Sequence, residues 1–259
     1  MFLDFNKKNI KFNLVQSNFC PIFTKSETRY LIDKYFTNSF NSQSVRLENI
    51  EINKNLDLIT LNFSKTDFYS LLTSNIIYRK DIHEEDEKIA QKLQELQNQN
   101  VSDLTVLQNY NFSNNLAVSI IVEDVNSKKL LVKRTSKVAV GASLVCVSVT
   151  GGVDYDDISE PNPLFKTVKR EIKEELGIVI ENENIILEGI FIGSYKLQPV
   201  VICSVKLNKD FNRLKLYGAD TEFEVDEIYV VTDEELQDYL EYPMTEASRF
   251  QIKKILNLL

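Results

Sequence analysis

The sequence predicts a mixed α/β sandwich preceded by a smaller β-rich domain. From about residue 113, short apolar strands are interleaved with few helices, the texture of a mixed sheet covered by helices. Before residue 80 the runs are β-like and separated by polar Asn, Ser and Lys stretches. A charged amphipathic helix that ends in Gln and Asn lies between the two regions. The expected organisation is a β-rich N-terminal domain over 1–80, a helical connector over 81–112 and the larger α/β domain over 113–259.

The elements follow in order. Residues 44–61 (SVRLENIEINKNLDLITL) alternate apolar and polar, which predicts paired strands. Residues 67–77 (DFYSLLTSNII) read as a short helix or turn. Residues 81–99 form a helix on the spacing of Ile89, Leu93 and Leu96, with acids crowding its first turns as the helix dipole favours. His83, the only histidine, reads as an exposed residue of that region.

Residues 116–123 (LAVSIIVE), 129–133 and 144–150 read as strands, the last running into Gly151-Gly152. A helix is expected over residues 163–176, then strands over 185–193, 200–207 and 223–231. Thr232 and Glu235 have the spacing of a capping box for a helix over 234–240, and a last helix starts near Thr245.

Composition narrows the function. The net charge of −8 argues against a nucleic-acid backbone as the main partner. Cys20, Cys146 and Cys203 are far apart and show no CxxC spacing, so neither a disulfide framework nor a zinc site is expected. That usage suits a reducing, cytoplasmic setting. Cys146 reads as a small buried hydrophobe. The opening MFLDFNKKNIKF lacks a signal-peptide pattern, and no apolar run reaches membrane-spanning length, so no membrane partner is expected.

The chemistry concentrates in REIKEELGI, residues 170–178. Phe165, Val168, Ile172 and Leu176 recur at helical spacing and can face a core. Glu171, Glu174 and Glu175 stand at i, i+3 and i+4 and are expected to share another face. Their mutual repulsion would be relieved by a hard cation such as Mg²⁺ or Mn²⁺. Taken alone, the same acids could be a solvated face laced by Arg170–Glu174 pairing.

Context favours the site. The stretch resembles the second half of the Nudix box, G-x5-E-x7-R-E-U-x-E-E-x-G-U, where U is a bulky aliphatic. Arg170, Glu171, Glu174, Glu175 and Gly177 fill its fixed positions, and Ile172 and Ile178 its aliphatic ones. A chance match is roughly one in 10⁵ for a chain of this length. The first half departs from the pattern. Asp156 stands where the box has its Gly, and Asn162 where it has its Glu. An insertion within residues 153–163 (VDYDDISEPNP) accounts for both, and Asp154, Asp156, Asp157 or Glu160 is then the candidate for the missing loop carboxylate.

The resemblance covers residues 113–259 and implies a Nudix α/β/α sandwich with a mixed sheet. It implies divalent-metal-dependent hydrolysis of a phosphoanhydride bond in a nucleoside diphosphate linked to another moiety, with Mg²⁺ or Mn²⁺ as cofactor. Carried over, Glu171, Glu174, Glu175 and the Gly152 carbonyl are metal ligands, and Glu174 or Glu175 helps deprotonate water. Arg170 orients Glu171 by a charge-assisted hydrogen bond. Glu222, Glu224 and Asp226 are candidates for a further carboxylate, and Lys133 and Arg134 for contacts to substrate phosphate.

Residues 115–119, LLVKRTSKVA and TGGVD are most similar to a subgroup near the UDP-sugar diphosphatases, and residues 68–75 (FYSLLTSN) are similar to an N-terminal segment of that group. The partner implied is a small nucleotide substrate, and a homodimer is common in the family. Two readings compete with the hydrolase: a catalytically silent Nudix-like domain that binds a nucleotide or partner, and an isomerase-like enzyme of the same fold. The complete R-E-x2-E-E set disfavours the first, and the absence of Trp the second.

Overall fold

The first fourteen residues already divide between two sheets. The structure is a computed structural model that describes residues 1–5, 8–17, 19–36, 39–79, 84–99, 101–103, 107 and 109–259. Strand β1 (Phe2–Asp4) joins a large sheet, whereas β2 (Asn9–Leu14) edges a small one. Helix α1 (Lys25–Tyr35) follows, started by a capping box between Thr24 and Glu27. Strands β3 (Gln43–Asn53) and β4 (Leu58–Asp67) pair antiparallel and complete the small sheet in the order β2-β4-β3. They are the paired strands expected from the alternation of residues 44–61.

The short helix expected next is α2 (Phe68–Leu71), which widens into a π turn over Leu72–Ile76. Helix α3 (Glu87–Gln97) buries Ile89, Leu93 and Leu96. It begins later than residue 81 because the Asp86 carboxylate caps it, accepting from the amides of Lys88 and Ile89. His83 lies outside the described residues.

The large sheet is built from β5 (Ala117–Glu123), β6 (Lys129–Arg134), β7 (Val145–Val147) and β8 (Val149–Gly152). After helix α4 (Pro163–Leu176) come β9 (Ile185–Ile192) and β10 (Pro199–Lys206). A single turn, α5 (Thr221–Glu224), leads into β11 (Val225–Val231), and helices α6 (Asp233–Tyr239) and α7 (Glu246–Ile255) close the chain. The strand order is β1-β9-β10-β5-β6-β11, with β10 parallel to β5.

Hairpin partners β5 and β6 meet at Glu123 and Lys129 and then splay, and the gap is filled by β7 against β6 and β8 against β5. One strand was expected over 144–150. Ser148 divides it, because its hydroxyl replaces ladder bonds, donating to the Leu130 carbonyl and accepting from the Val122 amide. The strand expected from residue 223 starts at Val225, because the amides of Phe223 and Glu224 turn back to the Asp220 carbonyl.

Alternation along β5 sets the layers. Val118, Ile120 and Val122 face the core that holds Leu164, Val168, Ile172 and Leu176 of α4. Ile121 faces the core that holds Leu236 of α6 and Ile252 of α7. The molecule is thus a mixed sheet between helical layers, the α/β/α arrangement expected, with a second, smaller sheet beside it. Among the described residues, no helix is long and apolar enough to cross a membrane.

The two sheets are joined through their backbones. The Val45 amide of β3 donates to the Val153 carbonyl at 2.9 Å, and the Leu116 amide donates to the Val45 carbonyl at 2.8 Å. Asn115 donates to the Ser44 hydroxyl at 2.7 Å and to the Asp67 carbonyl at 3.0 Å. From the FYSLLTSN segment, the side chains of Ser74 and Asn75 accept from the amides of Ser113 and Asn114. The small sheet therefore grips the start of β5 and the residue that follows the double glycine.

Candidate active site

Helix α4 forms where local chemistry requires it. Asn162 caps it by accepting from the Phe165 amide, Pro163 fits its first turn, and Gly177 ends it in a left-handed conformation with φ 70°. Asn162, which stands where the box has a carboxylate, is thus committed to the cap.

The three glutamates do not share one exposed face. Glu171 and Glu175 are buried with the apolar residues of α4, whereas the Glu174 side chain is 37% exposed at the rim. The expectation that all three point away from the core is corrected. Glu171 and Glu175, four residues apart, form a row along the flank that lies on β8. Gly151 makes the room, since a Cβ there would lie 1.9 Å from the Glu171 carboxyl carbon. Gly152 has open space beside it.

Burial sets the electrostatics. Glu175 is 2% exposed; among the described residues no hydrogen bond of good geometry reaches its carboxylate, and the Thr150 amide beside it offsets little of the cost. Burial lifts its pKa well above the usual range, Glu224 adds to the rise, and the attraction of Arg134 offsets only part of it. Glu171 is pushed up to about 8 by burial, against the pull of Arg170. Arg170 is the hub. One guanidinium nitrogen donates to Glu171 at 2.8 Å and to Glu174 at 3.0 Å. The other donates to the Gly152 carbonyl at 2.9 Å and to Asp157 at 3.0 Å.

Of the loop acids, Asp157 is buried against Arg170 and Asp154 lies 3.5 Å from the same guanidinium. Burial raises the Asp154 carboxyl. Asp156 and Glu160 are exposed.

Of the later acids, Glu224 reaches the cluster, bonded to Arg134 at 2.7 Å. Glu222 instead accepts from the Tyr217 hydroxyl, and Asp226 lies 3.2 Å from the Lys133 ammonium. Glu224 is brought in by close backbone docking. The Asp220 amide donates to the Glu174 carbonyl at 2.9 Å, and the Thr221 hydroxyl donates to the Glu175 carbonyl. Gly218 allows this approach, because a Cβ there would lie 2.0 Å from the Glu174 carbonyl oxygen.

Arg134 and Lys133 part company. Adjacent residues of β6 face opposite sides. Arg134 turns to the acid cluster, donating to Thr150 at 2.9 Å and to Glu224, which holds its charge against burial. Lys133 turns away and pairs with Asp226 and Glu227. Cys146 is fully buried near Arg134, and burial pushes its thiol up. The Thr150 and Thr221 contacts had no sequence signal, because each depends on the docking of a distant segment.

The solved structures that this chain resembles include Nudix hydrolases and MutT proteins. It matches the MutT protein from Methanosarcina mazei Go1 at 18% identity, over 55% of this chain and 93% of that one, with a TM-score of 0.42. It matches the NUDIX hydrolase from Alicyclobacillus acidocaldarius at 14% identity, over 55% of this chain and 91% of that one, with a TM-score of 0.43. A bifunctional NMN adenylyltransferase/ADP ribose pyrophosphatase from Francisella tularensis, solved with AMP and a Mn ion, matches at 18% identity over 56% of this chain and 41% of that one, with a TM-score of 0.43. No family model matches the sequence, and no curated protein matches it.

The donor set suits the hard dication that the Nudix resemblance implies. Glu175 is a buried carboxylate without a side-chain partner among the described residues, Glu171 and Glu224 raise its pKa, and hard oxygen donors are what Mg²⁺ and Mn²⁺ take. The set is not drawn together: among the described residues no three acidic, His or Cys side chains converge to hold an ion.

Proposed function

We propose that this protein hydrolyses a phosphoanhydride bond in a nucleoside diphosphate linked to another moiety, using Mg²⁺ or Mn²⁺. The observation that carries the reading is Glu175, buried without a side-chain partner among the described residues while Glu171 and Glu224 raise its pKa further. Acids held in this state at a cost to stability are characteristic of functional sites. A nucleotide sugar is the favoured substrate, on the similarity of residues 115–119, LLVKRTSKVA and TGGVD to the UDP-sugar diphosphatase-like subgroup.

A bound dication supplies charge to polarise the phosphoryl group and to activate water. The residues of the chain do the rest. Glu171, Glu174, Glu175 and the Gly152 carbonyl are the residues that would hold the ion, once Arg170 releases that carbonyl. Arg170 orients Glu171 and Glu174 through its bonds of 2.8 and 3.0 Å. Glu174 or Glu175 would take the proton from the attacking water. Arg134, fixed by Thr150 and Glu224, would supply the positive charge toward the diphosphate.

One observation favours the second reading, a silent Nudix-like binding domain: Arg170 occupies the Gly152 carbonyl. Calorimetric titration with Mn²⁺ separates the two. The hydrolase reading expects saturable binding that Glu171→Gln weakens at least ~10-fold, in line with the loss of a charged ligand. No binding to folded wild type removes it.

A further inference from the structure

Within the loop that departs from the box, one buried acid directs its bonds at the catalytic helix. Asp157 sits in the turn Tyr155–Ser159, and its side chain is 2% exposed. Its Oδ2 accepts from Arg170 at 3.0 Å, from the Thr167 hydroxyl at 2.8 Å and from the Asp154 amide at 3.3 Å. All three donors belong to the loop or to α4.

The small sheet fixes the loop from outside. Val45 donates to the Val153 carbonyl, Ser44 forms a backbone bridge with Asp154, and the Lys65 ammonium stands over the Tyr155 ring at 4.9 Å. The loop therefore has little freedom to carry Asp157 away.

We propose that Asp157, presented by a loop that the N-terminal sheet pins, is the positioning residue of this site. It acts through Arg170, and this proposal rests on the hydrolase reading and deepens it. Arg170 carries four acceptors, of which Glu171 and Glu174 are metal ligands in that reading. Asp157 is the buried charged acceptor on the loop side, whereas Asp154 is 43% exposed and longer at 3.5 Å. Without Asp157 the guanidinium loses its buried loop-side anchor and is drawn toward its remaining three acceptors, and the carboxylates that it orients lose their angle. A shift on the order of 1 Å at a reacting centre costs roughly 100-fold in rate.

The test is a double-mutant cycle on turnover. Asp157→Ala is expected to lower kcat ~30–100-fold with KM changed less than about 3-fold, because substrate does not touch Asp157. The isosteric Asp157→Asn, which keeps the Thr167 bond, guards against a folding defect and is expected to lose ~10-fold. In an Arg170→Gln background, Asp157→Asn is expected to cost less than about 2-fold, since residues acting as one unit are not additive. Losses that multiply in the double variant overturn the proposal, as does an Asp157→Asn enzyme with wild-type kcat. The guanidinium proton signals of Arg170 in nuclear magnetic resonance give a readout free of activity. They are expected to be slow to exchange in wild type and fast in Asp157→Asn. If wild type neither turns over nor binds Mn²⁺, the hydrolase reading alone fails, and unchanged Arg170 exchange still overturns the role of Asp157.

Discussion

Replacing Glu175 by Gln is expected to stabilise the metal-free protein above neutral pH while abolishing turnover. The Glu175 carboxylate is 2% exposed with no side-chain partner among the described residues, and burial keeps its pKa well above the usual value of 4.5. A carboxyl whose folded pKa is raised binds its proton more tightly in the native state. Its contribution is therefore complete below about 4.5, the unfolded value, and is lost as pH rises toward the folded pKa. Each pH unit crossed in that window removes up to ~1.4 kcal/mol. Glu171, pushed up to about 8, loses stability over the same range in both proteins.

Gln keeps the shape and cannot ionise, but its amide is also left to find partners, at ~1–3 kcal/mol. The variant is therefore expected to melt above wild type near pH 8, by ~2–4 °C for each kcal/mol of net gain in a chain of this size. Near pH 4.5 the gain disappears or reverses. Melts of both proteins in EDTA across that range measure it. Added Mn²⁺ is expected to raise the wild-type Tm and to leave the Gln variant nearly unmoved. A variant that melts at or below wild type near pH 8 refutes the reasoning.

Other consequences follow from the same geometry. Glu174→Gln, at the rim, is expected to lower kcat by at least ~100-fold with Tm within ~2 °C of wild type, measured by phosphate release and thermal melts. Gly218→Ala forces a Cβ toward the Glu174 carbonyl oxygen, where it would lie at 2.0 Å. It is expected to cost ~1–3 kcal/mol in chemical denaturation, and turnover falls because Glu224 shifts. Lys133→Ala is expected to change kcat/KM less than about 2-fold, whereas Arg134→Ala raises KM at least ~10-fold, since only the arginine faces the cluster.

Much of the architecture was legible because local signals agreed. Helix α4 shows its cap at Asn162, Pro at its first position, an apolar row and Gly177 at its end. Strands β5, β6, β9 and β10 stand out as apolar runs bounded by polar residues. Strand β1, by contrast, has three residues and shows no period, so nothing local marks its entry into the large sheet.

The identity of the acids was legible, but their depth was not. Helical spacing places Glu171 and Glu175 in a row, yet which flank is buried depends on α4 lying over Gly151, a tertiary fact. The choice among the loop acids was equally hidden, because β3 pins that loop from more than a hundred residues away. The split between Lys133 and Arg134 does have a sequence signal. Lys133 and Arg134 are neighbours in a strand, so the period of two already forbade both from facing one ligand.

The most direct test is monophosphate or phosphate release from nucleotide sugars, dinucleotides and nucleoside triphosphates, with Mg²⁺, Mn²⁺ or EDTA, for wild type beside Glu175→Gln. The expected result is metal-dependent cleavage of one substrate class, with nucleotide sugars first, lost in EDTA and in the variant. Cleavage that survives both, or folded wild type that cleaves nothing, contradicts a metal-dependent hydrolase built on Glu171, Glu174 and Glu175.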